Sequence, residues 1–144
     1  MHKTLLFLVF LIVTAFSFGQ EKVQWSYSFD NDLDIVEVKA VIAGGWHLYS
    51  QKIDNDLGPI PTSFSFEEND DYTLVGKTIE PESLKEYDEN FEGELNFFKD
   101  EVIFKQKIKV ERSTTVKGVV TFMVCNDTMC LPPTDIEFSI KINK

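Results

Sequence analysis

The sequence predicts an all-β fold, an antiparallel β-sandwich, and three observations carry that prediction. Apolar residues recur with a period of two through most of the chain, the signature of half-buried strands. Gly, Pro, Asn and Asp fall between the periodic runs, where turns belong. No segment carries a convincing long helical pattern. About eight short strands of this kind suit a sandwich; a closed barrel is the alternative, and the 13 phenylalanines can fill either core.

Val23, Trp25, Tyr27 and Phe29 alternate with Gln24, Ser26 and Ser28 in the first strand, and Asn31-Asp32 makes a turn. Val36, Val38, Ala40 and Ile42 define the second, which Gly44-Gly45 ends. Trp46 to Ser50 is a further extended piece, and Asp54 to Pro61 has loop chemistry. Phe64 and Phe66 mark another strand, and Tyr72 to Val75 the next. The polar, acidic stretch from Ile79 to Asn90 reads mainly as a long excursion, with room for a helical turn from Pro81 to Tyr87. Val102, Phe104, Ile108 and Val110 share a strand face. Val119 to Cys125 reads as a strand buried on both faces at its centre, and Ile136, Phe138, Ile140 and Ile142 alternate cleanly in the last. Trp25 and Trp46 are expected in the core.

Met1 to Gly19 does not read as part of this domain. His2 and Lys3 give a positive start, Leu5 to Val13 is apolar, and Ser17-Phe18-Gly19 places small residues before a cut at Gln20. That is the pattern of a secretory signal peptide, too short to span a bilayer comfortably. No cysteine lies near the cut, so a lipoprotein is not expected. The domain is therefore expected to be 20–144, exported to a periplasm or similar compartment and soluble after signal cleavage; the sequence does not fix its oligomeric state, and a monomer is the expectation. Without Lys3 it carries 13 basic and 24 acidic residues, a net charge of −11, which disfavours nucleic acid and anionic lipid as partners.

The chemistry gathers in one hexapeptide. Cys125 and Cys130 are the only cysteines, and outside the cytosol two such thiols are expected as a disulfide. Asn126-Asp127-Thr128 is turn material, and Pro132-Pro133 stops ladder pairing just after Cys130. Both sulfurs then sit near a connection between adjacent strands, where a partner thiolate has in-line access. Four intervening residues let the chain reverse until the Cα atoms reach the usual disulfide separation, about 4.4–6.8 Å. As a staple, so short a loop returns on the order of 2 kcal/mol. Spacing alone leaves staple and exchange centre both open. With His2 lost with the signal and His47 the remaining histidine, a tetrahedral metal site is not expected, nor any other cofactor.

These residues carry a resemblance. Val120-Thr121-Phe122, then Cys125, Asp127, Cys130 and Pro132-Pro133, resembles the cysteine segment of the N-terminal periplasmic domain of DsbD, the transmembrane thiol–disulfide interchange protein. Gly45 to Ile53 is similar to that family's Gly-aromatic-aromatic-Leu-Tyr strand, and Tyr87 to Gly93 to its acidic cap loop. The three segments occur in the family's order. The resemblance implies an immunoglobulin-like sandwich that shuttles two electrons. Cys130 would form mixed disulfides with partners and Cys125 would resolve them. Phe91 would cap the pair, with His47 and Tyr49 beside it. Implied acceptors are disulfide isomerases and cytochrome c maturation thioredoxins; the implied donor is a thioredoxin-like protein fed from the membrane. Three departures stand out. The family's usual form has one more residue between its cysteines, so the turn here is tighter. It has tyrosine where this chain has His47. The sequence also stops at Lys144, before any membrane or thioredoxin domain, so an external donor, such as a separate membrane electron transporter, is expected.

Among the neighbours, His47 is a candidate base for a thiol and Tyr49 a candidate hydrogen-bond partner. Glu89 and Asp127 would moderate reactivity, since negative charge disfavours a thiolate. The expected function is thiol–disulfide exchange of the protein-disulfide reductase type. The competing expectation is an immunoglobulin-like binding or adaptor module whose disulfide only holds a loop.

Overall fold

Period-two patterning does place the strands, and they pair antiparallel throughout. The computed structural model describes residues 21–53 and 55–144; the expected signal peptide, 1–19, lies outside them. The strands are β1 (Val23–Asp30), β2 (Ile35–Ile42), β3 (His47–Tyr49), β4 (Ser63–Phe66), β5 (Tyr72–Ile79), β6 (Leu84–Asp88), β7 (Gly93–Phe98), β8 (Glu101–Val110), β9 (Thr114–Phe122), β10 (Val124–Cys125) and β11 (Thr134–Ile142). A 3-10 turn at Asn55–Leu57 is the one helical element among the described residues.

Two sheets make an immunoglobulin-like sandwich, ordered β1-β2-β8-β5 and β11-β9-β4. Their inner faces meet through aromatics. Trp25 lies 5.1 Å from Phe122, Tyr27 stacks on Phe138 at 5.0 Å, and Phe64 meets Phe104 at 5.0 Å between ring centroids. Val36, Val38 and Ala40 from β2 and Val116 and Val120 from β9 complete the layer, all fully buried. Trp25 and Trp46 are half-buried against this core, and Lys22 sits over the Trp46 ring.

The third sheet, β10-β3-β7-β6, closes one end and positions the site. Alternation divides its side chains between two environments. Leu48, Phe98 and Val124 point into the main core. Tyr49, Leu95, Phe97 and Cys125, an odd number of residues away in each strand, form a second, smaller core on the opposite face. The register Val124↔Leu48 and Cys125↔His47 fixes this division. Chain continuity helps: β9 gives way to β10 at Met123, so the strand leaving the sandwich delivers Cys125 to the third sheet.

Three expectations change. The segment from Ile79 to Asn90 holds no helical turn; Leu84–Asp88 is an edge strand in a hairpin with β7. Both its faces are exposed until Asp88, so it has no apolar alternation to read. Val119 to Cys125 is not one strand buried on both faces: Val119, Thr121 and Met123 are only half-buried, and the strand changes sheets. Tyr72 to Val75 runs on to Ile79 past an irregularity at Gly76, φ +70°. Buried Gln106 stabilises that irregularity, donating to the carbonyls of Val75, Gly76 and Lys107 and accepting from Thr78 Oγ1. Just beyond, the Glu80 carboxylate accepts from Ser50 Oγ and the Gln51 N–H, fixing the chain where it leaves β3.

Candidate functional site: a disulfide ring beneath a hairpin loop

Cys125 and Cys130 are joined, with S–S 1.99 Å and Cα–Cα 4.0 Å. The Cα separation is shorter than the usual range because the two residues face each other as an antiparallel bridge. Hydrogen bonds flank that bridge: the Asn126 N–H donates to Met129 O at 2.8 Å and the Leu131 N–H to Val124 O at 3.0 Å. The cysteines therefore occupy the non-hydrogen-bonded position between them, where antiparallel Cα atoms approach closest. Asn126 shapes the turn. Its Oδ1 accepts from the N–H groups of Thr128 and Met129, at 2.9 and 2.8 Å, and from Thr128 Oγ1 at 3.1 Å.

The two sulfurs belong to unlike residues. Cys125 is wholly buried on the floor of the small core. Cys130 is half-buried at its rim, beside exposed Met129. His47 lies directly across the β3–β10 pair from Cys125. Phe91 packs on the same cluster as both cysteines, meets the Tyr49 ring edge-on at 5.9 Å, and is backed by Gly58. The structure thus brings His47, Tyr49, Phe91, Cys125 and Cys130 together around one small core. Glu89 and Asp127 are exposed; they border a hollow that also touches His47 and Phe97, and neither is part of the packed cluster around the sulfurs.

Asp88 is the residue that sequence reasoning missed. It ends β6 with its side chain completely buried. Its Oδ2 accepts from Tyr49 Oη at 2.6 Å and from His47 Nε2 at 3.0 Å; Nε2 also lies 3.2 Å from Tyr49 Oη. An ionised carboxylate only accepts, so the hydrogen of His47 sits on Nε2. The other oxygen, Oδ1, accepts from the N–H groups of Asn90 and Phe91, at 2.8 and 3.2 Å. One carboxylate therefore joins the aromatic strand to the loop that carries Phe91. Burial alone would raise its pKa, but the bonds from Tyr49, the Asn90 N–H and His47 outweigh burial and hold Asp88 below the ordinary aspartate value. The Tyr49 hydroxyl is pushed far upward, first by burial, then by its hydrogen bond to Asp88 and the charge there. His47 Nε2 is committed to this network, which draws it toward Asp88 and Tyr49.

The arrangement is a disulfide with one half-buried and one buried cysteine, on a small core that a loop aromatic, Phe91, also packs against. Comparison with known proteins places the fold and the family. The chain is similar in structure to the DsbD N-terminal domain of Neisseria meningitidis in its reduced form, with a TM-score of 0.65 and 22% identity over 85% of this chain and 87% of that one. It is similar to a structure of the complex between the DsbD and PilB N-terminal domains from the same organism, with a TM-score of 0.61 and 21% identity over 81% and 80%. It also resembles the N-terminal periplasmic domain of ScsB from Proteus mirabilis, with a TM-score of 0.57 and 18% identity, covering 81% of this chain and 44% of that one. None of the curated proteins compared with the sequence matches it. The sequence match is to the family described as thiol:disulfide interchange protein DsbD, N-terminal, and it spans residues 16–141, including the aromatic strand, the loop between β6 and β7 and both cysteines. By fold, by this match and by the placing of its cysteine pair, the chain belongs to the family of DsbD N-terminal domains.

Proposed function

We propose that this chain is an exported thiol–disulfide exchange domain whose Cys125–Cys130 pair passes two electrons between thioredoxin-like proteins. The observation that carries the reading is the asymmetry of the pair: Cys130 at the rim and Cys125 on the floor. A donor thiolate attacks Sγ of Cys130. The S–S bond breaks, and its electron pair leaves on Cys125 Sγ, which takes a proton. The donor's second thiolate then attacks the mixed disulfide at the donor's own sulfur and frees Cys130. Passing the electrons on reverses these steps: Cys130 attacks the acceptor's disulfide, and Cys125 resolves the mixed species. The family relationship and the solved complex of a related domain with PilB support thioredoxin-like partners. Disulfide isomerases and cytochrome c maturation thioredoxins are the proposed acceptors, and a separate membrane electron transporter is the proposed source.

Phe91 serves as the cap that a docking partner displaces, while Tyr49, His47 and Asp88 form the wall behind it. Glu89 and Asp127 add negative charge around the mouth and restrain thiolate formation. An N-terminal signal removed before Gln20 places the domain in the periplasm or an equivalent compartment. No helix among the described residues is long and apolar enough to cross a membrane.

The test is the equilibrium potential of Cys125–Cys130 against thioredoxin-like proteins. The expected value lies within their span, about −270 to −120 mV; a value well below about −300 mV, where inert structural disulfides lie, overturns the proposal. In parallel, Cys125→Ser is expected to accumulate a mixed disulfide through Cys130, and Cys130→Ser to trap none.

A further inference from the structure

The loop between β6 and β7 makes one direct side-chain hydrogen bond to the disulfide ring among the described residues. Asn90 Nδ2 donates to the main-chain carbonyl of Asn126 at 2.8 Å. Both ends of this bond are fixed. On the loop side, Asp88 Oδ1 holds the Asn90 and Phe91 N–H groups, while Asp88 Oδ2 is anchored by Tyr49 and His47. On the ring side, Asn126 is held through its N–H to Met129 O, through its Oδ1 to Thr128 and Met129, and by the cystine itself. The bond thus connects two ordered units, and the residue after Asn90 is Phe91, packed on the same small core as both cysteines.

We propose that Asn90 is a positioning residue, a clasp that holds Phe91 over the disulfide and thereby sets how fast a thiolate reaches Cys130. The inference deepens the exchange reading above and rests on it for its biological meaning. The clasp ends on a main-chain carbonyl and not on either sulfur, and takes no part in the chemistry. Made in the oxidised and the reduced form alike, it changes the rate of attack and leaves the equilibrium potential alone.

The test compares the oxidised protein with Asn90→Ala, using dithiothreitol as the reductant. One dithiothreitol thiolate attacks Cys130 Sγ and expels Cys125 Sγ; the second closes on its own mixed-disulfide sulfur, releasing Cys130 and the cyclic disulfide. Loss of one hydrogen bond that keeps the cap closed should raise the second-order rate on the order of three- to tenfold. The potential should stay unchanged. In a Phe91→Ala background, where there is no cap to hold, Asn90→Ala should add nothing. Equal rates for wild type and Asn90→Ala overturn the clasp. So does an acceleration that persists in full without Phe91, because that reports a general loosening of the loop. Should Asn90→Ala fold poorly, slowed exchange of the Asn90 side-chain amide protons in the oxidised wild type tests the bond directly; exchange as fast as that of a solvated amide overturns it. A pair too stable for thioredoxin-like proteins to reduce would defeat the exchange reading, and the dithiothreitol rates would still judge the clasp.

Discussion

Asp88 has a different task for each of its oxygens, and the Tyr49 hydroxyl is the closest group to either. The 2.6 Å bond from Tyr49 Oη reaches a carboxylate whose side chain is wholly buried. Tyr49→Phe keeps the ring that Phe91 packs against but removes that donor. Asp88 then retains His47 and two backbone N–H groups. Losing a bond to a buried charge costs about 1–3 kcal/mol. Urea unfolding at neutral pH should show a destabilisation of this size, with the m-value unchanged. A loss below about 0.5 kcal/mol would mean that the carboxylate does not depend on the hydroxyl. The same residue marks where sequence reading stops. Between Ile79 and Asn90 stand five carboxylates, Glu80, Glu82, Glu86, Asp88 and Glu89, and nothing local separates the buried one from its solvated neighbours. What selects Asp88 is the β6–β7 pairing, Asp88 opposite Gly93, and the arrival of β3 from elsewhere in the chain. His47, Tyr49 and Phe91 stand in segments whose family resemblance singles them out; a short acid among acids has no such mark.

Among the elements, β9 is the central strand of its sheet, lying between β11 and β4. Gly118 sits where both neighbours converge, opposite Phe66 on one side and Phe138 on the other. A Cβ at this glycine would come within 2.4 Å of the Ser65 carbonyl oxygen and 2.5 Å of the Phe138 ring. The ring could turn, but a backbone carbonyl in a paired strand moves only if β4 shifts with it. Gly118→Ala is therefore expected to destabilise the domain by roughly 1–3 kcal/mol despite the better β-propensity of alanine. Hydrogen exchange should show the added opening concentrated in β4 and its neighbours. A neutral or stabilising substitution would contradict this packing. Strands with one buried face, such as β2, β8 and β11, were legible residue by residue because alternation is a direct record of a single buried face. Two others were not read. β6 lies at a sheet edge with little to bury. β7 does carry a signal, with Leu95 and Phe97 alternating against Glu94 and Asn96, but the run is short and adjacent Phe97 and Phe98, both buried, break the alternation. The change of sheet at Met123 left no mark in composition, since it depends on which partner strand is waiting on each side.

On the scale of the whole molecule, the site makes folding depend on pH at both ends of the range. Asp88 titrates lower in the folded protein than its ordinary value of 3.8. Its contribution to stability is therefore complete above that value and is lost as pH falls below it, through the depressed folded pKa. Tyr49 has the opposite sense. Its pKa is raised far above the ordinary 10.0, so the folded state keeps the phenol neutral while the unfolded chain ionises it. Stability from Tyr49 is intact below pH 10 and declines progressively above it. Tyr27, raised by burial, and Tyr72, raised by burial and then by Glu67, push in the same direction. The surface ion pairs do little to offset either limb, because pairs such as Lys99–Glu86 and Lys85–Glu94 are well exposed and screened. The expected stability profile is a plateau from about pH 5 to 9, with an acid limb below pH 4 and an alkaline limb above pH 10. Chemical unfolding of the oxidised protein across that range checks it. Tyr49→Phe should lower the plateau and flatten the alkaline limb more than Tyr27→Phe does, because Tyr49 is displaced furthest from its ordinary value. Asp88→Asn should weaken the acid limb and leave the alkaline limb of Tyr27 and Tyr72 in place. An alkaline limb unchanged by Tyr49→Phe would show that the hydroxyl beside the cysteine pair is not the group whose ionisation unfolds the domain. It would thereby separate the wall of the redox site from the stability of the sandwich.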